Sequence, residues 1–228
     1  VLVPQAVKYV AVMPYVLEDF KAKCLAGCKL DPLLLVDNTT NNLGIMRSHN
    51  LGVDLMREHD ADWLVILSAA VRFGAEGGLD FISALDRREG HAVVNAEGLY
   101  GWHLMAFARD TIEAAGKWDE NFFPYGFDDN DLAIRIHKAQ PAAIWSGVRV
   151  DVSDTIMGHS LKLGGVRAPA PPLLLYFRQK WGDIPGPPFD AYHDTPWNDP
   201  TLPVGYWPEH NGGEWDRPAP PTAQATIR

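Results

Sequence analysis

Between Trp118 and Arg135 the sequence runs WDENFFPYGFDDNDLAIR, with Asp128, Asp129 and Asp131 crowded into four positions. Helical spacing puts Asp128, Asp131 and Arg135 on one face, so Arg135 can hold a carboxylate in place, while Asp129 projects to one side beside Leu132. Carboxylates favour a helix N-terminus by about 0.3–1 kcal/mol each. Three so close also repel one another, so capping alone explains the cluster poorly. An oriented carboxylate here can act as a general base while its neighbours position it, bind hydroxyls or hold a cation. The competing account is an acidic cap with an internal ion pair.

Two further places carry polar groups suited to a ligand. Asp37 and Asn38 close the apolar run PLLLVDN and lead into Thr39–Asn42, a polar turn ahead of Leu43 and Gly44. A carboxylate there can accept hydrogen bonds from a base N–H or from ribose hydroxyls; a capped loop before a helix is the plainer reading. Downstream, MGHSLK supplies His159 and Lys162, a pair that gains weight only if phosphate charge has to be met. Asn50 and Gly52 lie inside a helical stretch, where Gly52 costs about 1 kcal/mol of propensity and permits close packing. No G-x-G-x-x-G follows the first strand and no G-x-x-x-x-G-K-S/T occurs, so the usual dinucleotide and P-loop signals are absent. Neither H-E-x-x-H nor G-x-S-x-G occurs.

The elements that must position these groups alternate. Apolar runs at Tyr9–Tyr15, Pro32–Asn38, Asp62–Ser68 and His91–Glu97 read as strands. Glu18–Cys28, residues 44 to 59 and Gly78–Arg88 read as the helices between them. His103–Asp110 reads as a strand running into a short helix stopped at Gly116, and Asp128–Lys138 as the last clear helix. Short strands follow at Ala142–Trp145 and Val148–Val152. This order predicts an α/β fold with a mostly parallel, Rossmann-like sheet, and in such sheets ligands collect beyond the carboxyl ends of the strands.

The 228 residues and 18 prolines divide unevenly, because the prolines gather after Gly182. A domain over residues 1–182 and an irregular Pro/Trp-rich C-terminal strap over 183–228 are expected. Trp197, Tyr206, Trp207 and Trp215 would pack on the domain or a partner, and the chain beyond Pro218 would fray. The net charge of -9 argues against a basic groove for duplex nucleic acid. Cys24 and Cys28, four apart in one predicted helix, read as buried thiols rather than a disulfide framework. No apolar run reaches membrane-spanning length and the opening lacks signal-peptide character, so a cytoplasmic location is expected.

Together these segments resemble the GT-A-fold glycosyltransferases of family 2 type. The resemblance covers roughly Tyr9 to Gly182. It rests on VAVMPY, LLLVDN, the two NLG pairs, DWLVIL, GKWDENFFPYGFDDNDLAIR, the later GHS and YFRQKWG, the acidic run being the most specific. It implies transfer of a hexose or deoxyhexose from a nucleotide-diphosphate sugar to a hydroxyl-bearing acceptor (glycan, protein or small molecule), with inversion. Asp37 then matches the acid contacting the base, with Asn38 beside it. Asp128 and Asp129 match the acidic pair near the acceptor, Asp129 being the base and Asp131 the next candidate. His159 matches a histidine near the diphosphate or metal, and Arg135 a support for the carboxylates.

One departure stands out. Where the family carries an Asp-containing motif for Mg²⁺ or Mn²⁺, this chain has Ser68, Ala69 and Ala70. Either Arg72, His159 or Lys162 meets the diphosphate charge, with a cation held partly by Asp128 or His159 left open, or the protein binds a sugar nucleotide or glycan without transfer. A nucleotidyltransferase would want a Gly- and Lys/Arg-rich loop near the first strand, which VMPYVLEDF does not offer.

Overall fold

A computed structural model describes residues 8–40, 43–88, 90–99, 101–122, 125–154, 170–182 and 224–228. In chain order the elements are β1 (Tyr9–Tyr15), α1 (Glu18–Leu25), β2 (Leu33–Asp37), α2 (Gly44–Glu58), β3 (Trp63–Leu67), β4 (Val71–Phe73), α3 (Leu79–Leu85) and β5 (His91–Ala96). They continue with β6 (Leu104–Ala108), α4 (Arg109–Ala115), a 3-10 turn (Glu120–Phe122), α5 (Asp128–Ala139), β7 (Ile144–Val148), β8 (Val152–Asp154), α6 (Ala170–Trp181) and β9 (Gln224–Ile227).

The main sheet has the order β7-β5-β6-β3-β1-β2-β9. β1 pairs in parallel with both β2 and β3, and β5 with β7, whereas β6 runs against β3 and β5. Only β6 and β9 therefore oppose the common direction. This mixed, largely parallel sheet with flanking helices fits the Rossmann-like, GT-A-type architecture that the sequence resemblance implies. β4 and β8 form a separate antiparallel ribbon.

Period-2 alternation sorts the core into two layers. Val10, Val12, Leu64 and Ile66 face one way and pack with Met46, Val53, Ile112, Leu132, Tyr176 and Trp181, under α2, α4, α5 and α6. Ala11, Met13, Val65 and Leu67 face the other way and pack with Cys24, Phe81 and Leu85, under α1 and α3. Because β1 and β3 are covered on both faces, they read in sequence as continuous apolar runs. α2 lies close on the sheet because Gly52 has no side chain. A Cβ there would fall 2.8 Å from Val12 Cγ1 and 3.0 Å from Leu64 Cδ1.

Several expectations need correction. Cys28 lies beyond the end of α1, although both thiols are buried and free; burial pushes Cys24 up to about 12. The strands after α5 fall at Ile144–Val148 and Val152–Asp154 rather than at 142–145 and 148–152. β4 and α6 had no counterpart in the sequence reading. Part of the stretch expected to fray is ordered: Gln224–Ile227 adds an antiparallel strand to β2, with Asp37 opposite Gln224 and Leu34 opposite Ile227. Residues 183–223, with the four strap aromatics, lie outside the described residues. Among the described residues no helix is long and apolar enough to cross a membrane.

Candidate active site

α5 starts from a bent backbone. Gly126 has φ 114° and Phe127, a non-glycine residue, has φ 62°. The left-handed region costs an L-residue roughly 1–2 kcal/mol. Phe127 is held there by its ring, 6.0 Å from that of Phe177 on α6. Asp128 and Asp129 follow at once, both half-buried. Asp128 Oδ1 accepts the Gly126 N–H at 2.8 Å, and Asp129 Oδ1 accepts the Asn130 N–H at 2.8 Å. Burial, and then the charges of Asp129 and Asp131, push Asp128 up to about 7. Burial also raises Asp129. Two adjacent carboxylates that both resist ionisation hold and release protons as a unit.

Asp131 does not join them. It is wholly buried, and its carboxylate is taken up from three sides. Arg135 Nε donates at 2.9 Å, Lys180 Nζ lies at 2.7 Å, and Trp181 Nε1 donates at 2.9 Å. Burial would raise its pKa, but Lys180, Arg135 and the indole N–H more than reverse this and leave it below the ordinary value. Asp131 is thus an anchor for α5. Arg135 donates to the Asp131 carboxylate, and its Nη1 also ties down Ala115 O at 2.5 Å.

The sequence reading missed the other half of this anchor. Lys180, also wholly buried, bridges Asp131 to Asp119 Oδ2 at 2.7 Å, and Tyr176 Oη donates to the same oxygen at 2.5 Å. Asp119 Oδ1 accepts the Asn121 N–H at 2.9 Å. On the opposite side, Asn50 pairs with the main chain of Trp118 through both its amide atoms, and Arg47 Nε donates to Glu120 at 2.7 Å. The approach to α5 is therefore fixed from α2 and from α6. The sequence held a signal for this in KWG and in Trp118–Glu120, but not the pairing between them.

At the carboxyl edge of the sheet, Asp37 accepts the Thr39 N–H at 2.8 Å and the Thr39 hydroxyl at 2.6 Å. These bonds, with help from Tyr15 and Lys21, lower its pKa, so Asp37 is a fixed negative charge. Asn38 is buried instead. Its Nδ2 donates to Ser48 Oγ at 3.1 Å and its Oδ1 accepts the Leu43 N–H at 2.9 Å. It secures the turn into α2. The groups that set the state of Asp37 lie on β1, α1 and its own turn, apart from the α5 pair.

After β3, Ser68 begins a tight turn. Its Oγ accepts the Ala70 N–H at 3.2 Å and its carbonyl accepts the Val71 N–H at 3.0 Å. Ala69 and Ala70 have no ligating side-chain atom. Among the described residues no group of three or more His, Cys, Asp or Glu could hold a metal ion. The residues at this turn do not fit the Mg²⁺ or Mn²⁺ that the resemblance implies. Arg72 lies immediately beyond on β4, with Nη1 donating to Ala69 O at 2.8 Å and Val71 O at 2.9 Å. His159 and Lys162 lie outside the described residues.

No protein-family model matches the chain, and neither does any curated protein. Solved structures do. The mannosyltransferase PcManGT from Pyrobaculum calidifontis, in complex with GDP-Man and Mn²⁺, is 12% identical over 62% of this chain and 55% of its own, with a TM-score of 0.45. S. aureus TarS 1–349 is 10% identical over 64% and 59%, with a TM-score of 0.47. A further S. aureus TarS structure is 10% identical over 68% and 38%, with a TM-score of 0.48. This chain thus spans less than two thirds of each.

Proposed function

We propose that the chain is a glycosyltransferase that moves a hexosyl or deoxyhexosyl group from a nucleotide-diphosphate sugar to an acceptor hydroxyl with inversion. One observation carries the reading: Asp128 and Asp129 form a half-buried carboxylate pair with raised pKa values, at the start of a helix locked in place from two sides. A carboxylate whose proton affinity is raised by burial is better suited to accept a hydroxyl proton during attack. The acceptor oxygen gives its proton to Asp129 as it bonds to the anomeric carbon. The bond from that carbon to the phosphate oxygen breaks on the opposite face, and the nucleoside diphosphate leaves with the electron pair. Asp128 keeps Asp129 basic by sharing the pair's proton, and Asp37 accepts hydrogen bonds from the nucleoside. Acceptor classes consistent with this chemistry are a glycan, a protein or a small molecule bearing a hydroxyl.

The test is release of nucleoside diphosphate from a panel of nucleotide sugars, with and without Mn²⁺. Asp129→Asn should lower transfer by about 10²–10⁴-fold, the usual worth of a general base, and leave donor binding nearly unchanged. Transfer at the wild-type rate by that variant would remove Asp129 from the mechanism. A second reading, binding of a sugar nucleotide or glycan without transfer, is favoured by the Ser68–Ala70 turn with its lack of cation ligands. It expects donor binding with no diphosphate release under any condition.

A further inference from the structure

The turn after β3 presents the opposite charge from the one a cation site needs. Arg72 sits part-buried on β4, in register with Ser153 of β8. Its guanidinium lies over the Phe20 ring of α1 at 5.7 Å. Nη1 is bound to two carbonyls of the turn. Nη2 is buried and meets no acceptor among the described residues. The neighbouring cation is already matched, since Lys21 Nζ pairs with Glu18 at 2.5 Å and with Tyr15 Oη at 3.3 Å. Among the described residues Arg72 therefore holds the one guanidinium nitrogen on this edge that is both buried and unanswered.

We infer that Arg72 binds the phosphate charge of the donor directly, in place of a divalent cation at this turn. The inference rests on the transferase reading above and adds how its leaving group is held. A fixed guanidinium repels a divalent cation and attracts an anion at the same place. Its planar fork suits phosphate oxygens, and an always-charged group needs no proton exchange to stabilise a leaving diphosphate. The position agrees with the chemistry, because ligands of open α/β sheets gather beyond the carboxyl ends of the strands, and this turn leaves the end of β3 between β1 and β6. The absence of carboxylates on Ser68–Ala70 is then part of the site, since an acid there would neutralise the arginine.

The experiment is titration calorimetry of the full chain with UDP, GDP, CDP, TDP and inorganic pyrophosphate, in EDTA and then in Mn²⁺. Wild type, Arg72→Gln and Arg72→Lys are compared, with thermal melts of each. At least one diphosphate should bind wild type in EDTA, with affinity changing less than about threefold on adding Mn²⁺. Arg72→Gln should weaken binding about 10–100-fold, the worth of one or two charged hydrogen bonds. Arg72→Lys should recover part of the loss. Binding seen only with Mn²⁺ overturns the inference, and so does a folded Arg72→Gln protein that binds as tightly as wild type. If Arg72→Gln does not fold, the metal dependence of wild type and the affinity of Arg72→Lys decide between the same outcomes. Transfer that needs Mn²⁺ would sink this inference and leave the transferase reading standing. No diphosphate binding in either buffer would sink both.

Discussion

Asp128 keeps a proton in the fold at pH values where the unfolded chain has lost it, and His49 lacks one where the unfolded chain has gained it. Asp128 is raised from 3.8 to about 7 by burial and by Asp129. Between about pH 4 and 7 the folded state thus binds more protons, and this contribution to stability is lost as pH rises. His49 packs edge-on against Trp118 at 5.0 Å, and burial lowers it from 6.5 to about 3. Its contribution is full above pH 6.5 and is lost as pH falls. The two slopes oppose each other in one window. Asp128→Asn should raise the melting temperature at pH 7 by a few degrees, roughly what 1–2 kcal/mol gives a chain of this size, and leave stability climbing more steeply from pH 4 to 7. Urea midpoints across that range check this; an unchanged profile would mean that Asp128 ionises in the fold as it does in the open chain. The residue types at the site were legible, because three crowded acids exceed what a helix cap needs. The burial of Asp131 was not, because its indole partner lies 50 positions away and local spacing does not encode that contact.

At the scale of elements, α5 and α6 are joined by charge as much as by packing. Lys180 lies wholly buried between Asp119 and Asp131. Such a group is tolerable only when paired, and removing one partner strands the others without solvent. Lys180→Ala should cost about 3–5 kcal/mol. Trp181→Phe keeps most of the ring volume and loses one hydrogen bond to a charged acceptor, so about 1.5–3 kcal/mol is expected. Chemical denaturation measures both. A loss below 1 kcal/mol for Lys180→Ala would mean that water enters and solvates the two acids. Helices with a strong apolar stripe, such as α2, were readable from sequence. α6 was not, because Pro171 and Pro172 look like breakers. In the first turn of a helix they remove only N–H groups that would have no partner there. β4 is three residues long and has no period to detect.

For the molecule as a whole, the sheet could be anticipated from the alternation of apolar runs, and its closing edge could not. β9 comes from a stretch whose composition argues for irregular structure, and its pairing with β2 depends on contacts from the other end of the sequence. Beyond the ladder itself, Arg228 N donates to Leu33 O at 3.0 Å. A chain ending at residue 223 would present the backbone groups of β2 to solvent, a ready template for another strand. It should melt several degrees lower and self-associate more, as light scattering against concentration would record. A truncated chain that stays monomeric with an unchanged melt would show that β9 contributes nothing to the fold. The pairing of β9 also orders events in time. β1, β2 and β3 lie close in sequence and can find one another early, whereas β9 must close a loop embracing nearly the whole chain. Loop entropy grows only logarithmically with length, so the penalty falls on rate far more than on final stability. The β2 edge that ends at Asp37 therefore exists, briefly, as an open strand each time the protein folds. It is sealed when Gln224–Ile227 pairs with β2.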